Sequence, residues 1–167
     1  MLACVDVDYR DQDAVAGCVL FHDWTDATPA AERVERIAAV EPYEPGQFYK
    51  RELPCLLAVL GPVRAQLEIV VVDGYVSLDA QQTAGLGGHL YEALGRTIPV
   101  IGVAKTEFPG APAASVQRGQ SGRPLYVTAA GIELPLAARH IQAMHGKHRI
   151  PTLLKRVDRL CGEAPAN

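Results

Sequence analysis

One apolar segment, residues 68–73, constrains the fold of this chain more than any other. Four β-prone residues, Ile69-Val70-Val71-Val72, run without interruption into Asp73-Gly74. A continuous apolar run of this length is typical of a strand buried on both faces, as in sheets covered by helices. The Asp-Gly pair at its end indicates a turn. The segment therefore predicts a central strand in a layered α/β fold.

Strand-like and helix-like segments alternate along the rest of the chain. Apolar runs predict further strands at residues 2–9, 14–22, 99–104 and 125–128. Helical patterns predict helices at residues 48–61, 80–95, 134–145 and 151–161. Residues 33–40 fit either a strand or a short helix, and the Gly, Ala, Pro and Ser content of residues 109–122 predicts a mobile loop. The alternation favours an α/β fold.

The size and composition of the chain predict a single domain over residues 1–167. The chain has 167 residues, a mass of 17.9 kDa and 49% hydrophobic residues, which is enough for a buried core. A net charge of −3 and a pI near 5.9 argue against a protein that coats nucleic acid by bulk attraction. A local basic surface remains compatible with these values.

The cysteine and hydropathy patterns bear on the compartment. The four cysteines, Cys4, Cys18, Cys55 and Cys161, lack the close pairing of zinc sites, and the residues after Met1 do not form a signal-peptide pattern. No apolar stretch approaches the ~20 residues that are needed to span a bilayer. We therefore expect reduced cysteines, a cytoplasmic protein and no membrane partner.

Four acidic residues in separate stretches are the candidates for chemistry: Asp6, Glu52, Asp73 and Asp158. A carboxylate that interrupts or closes an apolar strand is costly to bury unless it is paired or bound to a cation. Two such strands side by side indicate a hard-metal site for phosphodiester chemistry. Mg²⁺ suits oxygen ligands gathered from separate elements, and Mn²⁺ is a reasonable substitute.

Each of these residues also has an ordinary structural explanation. Asp6 and Asp73 can cap a strand or a turn, and Glu52 can interact with a helix dipole. Lys105, just beyond the predicted strand at 99–104, is either a surface lysine or a cation that stabilises a charged intermediate. Asp158 lies among cations on the last helix, where a surface ion pair contributes little.

Six blocks, in order along the chain, resemble the endonuclease V family, metal-dependent nucleases that recognise deaminated adenine (inosine) in nucleic acid. The blocks share the family's order and spacing. They are Val5-Asp6-Val7-Asp8-Tyr9, Pro42-Tyr43-Glu44-Pro45-Gly46 with Arg51-Glu52, Val72-Asp73-Gly74, Ile98-Pro99-Val100-Ile101-Gly102-Val103-Ala104-Lys105, Tyr126-Val127-Thr128, and Arg149-Ile150-Pro151 with Asp158.

The resemblance implies a ribonuclease H-like fold, a mixed sheet flanked by helices. It implies a Mg²⁺ site made by Asp6, Glu52, Asp73 and Asp158, with Lys105 as a further catalytic residue. It also implies nucleic-acid contacts, with Tyr43 in a strand-separating wedge: Pro42, Tyr43, Pro45, Gly46 and Gly74. The implied reaction is hydrolysis of a phosphodiester near a deaminated purine in DNA or RNA. The alternative is a nucleic-acid binding protein of the same fold with lost or redirected cleavage.

The chain departs from the family pattern at several positions. The family reads Asp-Gly-His-Gly where this chain has Asp73-Gly74-Tyr75-Val76, and we expect the extra carbons of Val76 to narrow the base pocket. Glu44 brings a negative charge into the wedge. The basic C-terminal segments, residues 147–149 and 155–159, fit either a phosphate-binding surface or a solvated helix face.

Overall fold

The computed structural model describes residues 1–40 and 42–165, so the predicted domain 1–167 includes three residues outside the described ranges. Strands and helices follow one another through these ranges. In chain order they are β1 (Leu2–Arg10), β2 (Asp13–Phe21), β3 (Ala31–Ile37), α1 (Phe48–Leu60) with a 3₁₀ turn (Gly61–Gln66), β4 (Ile69–Asp73), α2 (Leu86–Ala93), β5 (Val100–Ala104), β6 (Ala114–Val116), β7 (Leu125–Ala130), α3 (Leu134–Ala143) and α4 (Thr152–Glu163). Helices in these ranges are too short or too polar to cross a membrane.

The strands form one mixed sheet of seven, in the order β3-β2-β1-β4-β5-β7-β6. β1 pairs in parallel with β4, and β4 pairs in parallel with β5, so the centre of the sheet is parallel. The pairs β1–β2, β2–β3, β5–β7 and β6–β7 are antiparallel. The predicted α/β class is confirmed, and the continuous apolar run of β4 is explained by its position between two parallel strands.

Helices cover both faces of the sheet and create two cores. On one face, Leu56 and Leu60 of α1 and Leu90 of α2 pack against the odd-numbered residues of β1. On the other face, Ile141 of α3 and Leu153 of α4 pack against the even-numbered ones. Because side chains alternate along a strand, residue parity in β1 decides which core a side chain enters. Each fully buried leucine contributes about 1.5–3 kcal/mol.

Residues 80–85 are not helical, so the predicted helix 80–95 is wrong at its start. α2 begins only at Leu86, because the chain first forms a bridge between Ser77 and Ala84. A Cβ on Gly85 would lie 2.3 Å from the carbonyl oxygen of Tyr75, so this backbone contact requires a glycine. Tertiary packing here outweighs the helical pattern.

Residues 109–122 are only partly irregular, which corrects the predicted mobile loop. They contain β6, which pairs with β7 at the edge of the sheet. They also contain Arg118, which is only 3% exposed and donates to backbone carbonyls between residues 141 and 148. Residues 33–40, left open between strand and helix, contain most of the edge strand β3.

Candidate active site

Asp6 and Asp73 lie side by side at one end of the parallel strands. The β1–β4 register pairs Leu2 with Ile69 and continues to Val5 with Val72, so the next position brings the two aspartates together. Both side chains follow the parity of residues in the core under α3 and α4, and both line one cavity on that face. The parallel pairing thus places two carboxylates from distant segments on the same side of the sheet.

The cavity that they line has a volume of about 300 Å³. Asp158 and Lys155 enter it from α4, because Leu153 and Val157 of that helix are buried against the sheet and leave their neighbours at its margin. Lys105 enters it from the end of β5, with its Nζ 3.9 Å from Oδ2 of Asp73. We call this space the acidic cavity.

Glu52 approaches the two aspartates from the other face of the sheet. It lies on the buried stripe of α1, one turn before Leu56, and is only 8% exposed. It does not line the acidic cavity. Glu52 nevertheless interacts electrostatically with the two aspartates, because Asp6 and Asp73 both contribute to its raised pKa. Three acids from β1, β4 and α1 therefore interact electrostatically around the strand ends.

Burial raises the pKa of each of these three acids, and the charge of at least one nearby carboxylate adds to the rise. Desolvation is the main cause in every case. The pKa of Asp6 rises to about 6, with the N–H of Val7 holding it down by a 2.9 Å hydrogen bond. The pKa of Glu52 rises to about 8. Burial also raises the pKa of Asp73, while the nearby ammonium of Lys105 lowers it and Asp158 raises it further. Ionising all three acids is therefore unfavourable without an added cation.

The donor set fits a hard divalent cation that keeps part of its water. Asp6, Glu52 and Asp73 all offer carboxylate oxygens, the ligands that such cations prefer. The raised pKa values of Asp6 and Glu52 indicate that positive charge close to these oxygens would be favourable. Within residues 1–40 and 42–165, no three ligating side chains converge tightly enough to form a complete cage. Mg²⁺ is commonly bound by one or two carboxylates plus water and substrate phosphates, so the arrangement is compatible with it.

The predicted wedge lies on an exposed loop before α1. Tyr43 is 56% exposed, and its ring meets Phe48 edge-on at a centroid distance of 5.9 Å. Gly46 has φ = +77°, which allows the chain to turn into the helix. Glu44 lies 3.8 Å from Lys50, an ion pair that offsets its negative charge within the loop. Pro42 and Pro45, which flank Tyr43 and Glu44 in the sequence, are both exposed.

Val76 points into the core, which argues against the expectation that it narrows a base pocket. Its side chain is 3% exposed and belongs to the core under α1 and α2. Gly74, with φ = +130°, turns the chain after β4, and a Cβ on Gly102 would lie 2.4 Å from its carbonyl oxygen. The N–H of Val76 then donates to Oγ1 of Thr128 at 2.8 Å. This backbone path directs the valine away from the acidic cavity.

Arg149 lies at the site, although the sequence offered it only as part of a family block and of a basic segment. Its guanidinium donates to the backbone oxygens of Lys105 and Pro124, so it ties the end of β5 to the segment before β7. It also lines the acidic cavity. The sequence does not show which cation of the basic segment before α4 is held by hydrogen bonds and which one is free in solvent. By contrast, Arg156 pairs with Glu32 at 2.6 Å and Glu163 at 3.1 Å, which favours a structural role for that cation.

The mixed sheet, its helical layers and the acids at the adjoining ends of β1 and β4 define a ribonuclease H-like protein with an acidic site. Within that class, the chain belongs to the Endonuclease V family, whose model matches residues 1–131. Endonuclease V of Streptomyces avermitilis is 33% identical over 96% of this chain and 78% of that protein. Its counterpart from Thermococcus kodakarensis is 32% identical over 95% and 76%. Membership of this family implies a nuclease.

Solved structures agree with this assignment. The Streptomyces avermitilis Endonuclease V structure has a TM-score of 0.74 and 32% identity, and the match covers 98% of this chain and 80% of that one. Endonuclease V of Ciona intestinalis, in complex with a 23-mer DNA containing an inosine followed by a ribo-adenosine, has a TM-score of 0.82 at 17% identity, with coverage of 97% and 83%. At 17% identity, the likeness to the Ciona intestinalis structure is evidence for the fold alone. Asp158 lies beyond the 131 residues of the family match, whereas the other acids lie within it.

Proposed function

We propose that this chain acts as one domain and is a metal-dependent endonuclease that hydrolyses a phosphodiester near inosine in DNA or RNA. The observation that carries the proposal is the pairing of Asp6 and Asp73 on adjacent parallel strands, in a cavity that also holds Asp158 and Lys105. The Endonuclease V of Ciona intestinalis, whose solved structures are complexes with DNA containing an inosine followed by a ribo-adenosine, supports the substrate class. The four free cysteines suit a reducing compartment, so we propose that the protein acts in the cytoplasm.

Asp6, Asp73, Glu52 and Asp158 would hold the cation, with Mg²⁺ as the natural choice and Mn²⁺ as a substitute. Bound by these residues, a divalent cation would supply Lewis-acid chemistry, which would favour ionisation of the attacking water and offset negative charge on the phosphate and the leaving oxygen. The raised pKa values of Asp6 and Glu52 imply that protons compete with the cation for these oxygens. Buried carboxylates at this point are unfavourable in their charged form, so a bound cation would stabilise them.

Lys105 and the wedge loop complete the proposed machinery. The ammonium of Lys105, held 3.9 Å from Asp73, is placed to stabilise negative charge that develops on a phosphate in the cavity. Tyr43 presents an exposed ring for stacking on an unpaired base, and Pro42 and Pro45 restrict the loop that carries it. Gly46 and Gly74 turn the backbone with φ = +77° and φ = +130°, and neither carries a side chain that would obstruct an approaching strand.

The test is cleavage of matched inosine and adenosine oligonucleotides, in DNA and RNA, with Mg²⁺, with Mn²⁺ and with EDTA. We expect metal-dependent cleavage of the inosine strand, and Asp6→Asn should lower it by at least about 10²-fold. Asp8→Asn is the matched control, because Asp8 lies on the same strand but pairs with Arg10 at 3.1 Å. Equal loss in both variants would point to damaged folding, and unaltered turnover in Asp6→Asn would remove Asp6 from the site.

A second candidate is a nucleic-acid binding protein of the same fold with lost or redirected cleavage. A protein that binds inosine-containing nucleic acid and has lost cleavage would show tight binding in the same panel and no product with either metal. The two functions therefore give opposite results in one experiment.

A further inference from the structure

A second cavity, of about 540 Å³, lies beside the acidic cavity. Its lining comes from two loops, one before β7 and one before α4. The lining residues are Gly119, Gln120, Ser121, Lys147, His148 and Arg149. His148 and Arg149 line both cavities, so the two spaces are neighbours. We call this second space the basic cavity.

The basic cavity carries positive charge without a compensating acid. None of its lining residues is Asp or Glu, although the chain as a whole has a net charge of −3. Lys147 is exposed, and no acid in residues 1–40 and 42–165 pairs with it. The guanidinium of Arg149 is held by two backbone oxygens and forms a fixed cation between the cavities. A site of this composition favours an anion.

Buried contacts hold the two loops in place. Arg118 donates to five backbone carbonyls, those of Ile141, Gln142, Met144, Gly146 and His148, at 2.9–3.3 Å. Next to it, Gly119 has φ = +59°, and a Cβ at that position would lie 2.1 Å from the carbonyl oxygen of Lys147. The loops therefore touch through their backbones, which makes the cavity a preformed feature of the fold.

We propose that the basic cavity binds a backbone phosphate of the nucleic-acid strand next to the bond that is cleaved. Lys147 supplies the mobile charge and Gln120 a neutral amide donor, while Arg149 links the cavity to the acids around Asp6. The inference rests on the proposed function for its choice of polyanion. A strand that crosses both cavities would meet carboxylates in one, and the free ammonium of Lys147 and the fixed guanidinium of Arg149 in the other. Phosphate contacts of this kind set position and register.

The test is the salt dependence of binding, measured by fluorescence anisotropy with a labelled single-stranded inosine oligonucleotide in EDTA. Loss of one phosphate contact should reduce the slope of log affinity against log salt by about 0.7. We expect this reduction in Lys147→Ala and a wild-type slope in Lys147→Arg. Arg36→Ala is the control, because Arg36 lies on the edge strand β3, at the far side of the sheet. Lys147→Ala should also raise KM and leave kcat unchanged.

An unchanged slope in Lys147→Ala, or an equal drop in Arg36→Ala, would overturn the phosphate subsite. The proposed nuclease function fails by a different result, the absence of metal-dependent cleavage in the wild type. If the wild type binds without cleaving and Lys147→Ala still reduces the slope, the phosphate subsite is supported and the nuclease function is refuted. If the wild type cleaves and the slope does not depend on Lys147, only the subsite is lost.

Discussion

Replacing Glu52 by glutamine should stabilise the protein at alkaline pH in the absence of metal. Glu52 is 8% exposed, and no cation pairs with it in the described part of the chain. Its pKa is raised from 4.5 to about 8 by burial first and by Asp6 and Asp73 second. Glutamine has nearly the same size and no charge, so the substitution removes the ionisation and little else.

The sign and size of the effect follow from linkage between proton binding and folding. The folded state holds the Glu52 proton more tightly than the unfolded state, so no penalty exists below about pH 4.5. From there to the folded pKa near 8, the unfolded state releases the proton while the folded state keeps it, so stability falls as pH rises. Above about pH 8 the folded state carries the buried charge and the loss is complete. The upper limit is roughly 5 kcal/mol at 1.36 kcal/mol for each tenfold change in proton affinity. Relaxation and water penetration reduce it, and we expect about 1–3 kcal/mol.

The assay is urea unfolding of wild type and Glu52→Gln in EDTA at about pH 5 and about pH 8.5. The variant should gain clearly more stability over the wild type at the higher pH than at the lower one, and Mg²⁺ should stabilise the wild type more than the variant. Glu107→Gln, at an exposed position, is the control and should show neither effect. If Glu52→Gln is no more stable than wild type at pH 8.5, or if the difference is the same at both values, burial of a charged Glu52 is not costly and the reasoning is refuted.

The remaining predictions concern the turn after β4, the core beneath it and the competition between protons and metal. Gly102→Ala should lower the free energy of unfolding in urea by about 1–3 kcal/mol, because the new Cβ would lie 2.4 Å from the carbonyl oxygen of Gly74. Gly162→Ala is the control and should not destabilise the protein, because the space around Gly162 is open. Val76→Gly should cost roughly 2–4 kcal/mol of stability and leave inosine preference unchanged; an altered preference would restore the base-pocket interpretation. Apparent Mg²⁺ affinity, measured by calorimetry, should rise between about pH 5 and 7 as Asp6, with its pKa near 6, loses its proton, and Asp6→Asn should flatten this dependence.

Sequence patterns were sufficient for the elements whose signal is local. The predicted segments 2–9, 68–73 and 48–61 agree within one residue at each end with β1, β4 and α1. Local structure follows from continuous apolar runs, from a turn pair such as Asp73-Gly74 and from the prolines before α1. These patterns therefore predict their elements without knowledge of the fold. The family blocks also led to the correct fold class and to the choice of acids, whose metal-binding roles remain predictions.

Long-range contacts decided the remaining features. The start of α2 depends on how closely Gly85 approaches Tyr75, and the ordered part of residues 109–122 depends on Arg118 finding carbonyl groups more than twenty residues away. Nothing near Val76 in the sequence indicates that the chain folds over Gly102 and buries that valine. The sheet register, which joins residues 67 positions apart, places Asp6 beside Asp73. Burial of both acids in the folded chain then raises their pKa values. Composition and local pattern thus determined which side chains could serve the site, and the tertiary structure determined which of them meet, because burial and charge repulsion arise only when distant segments come together.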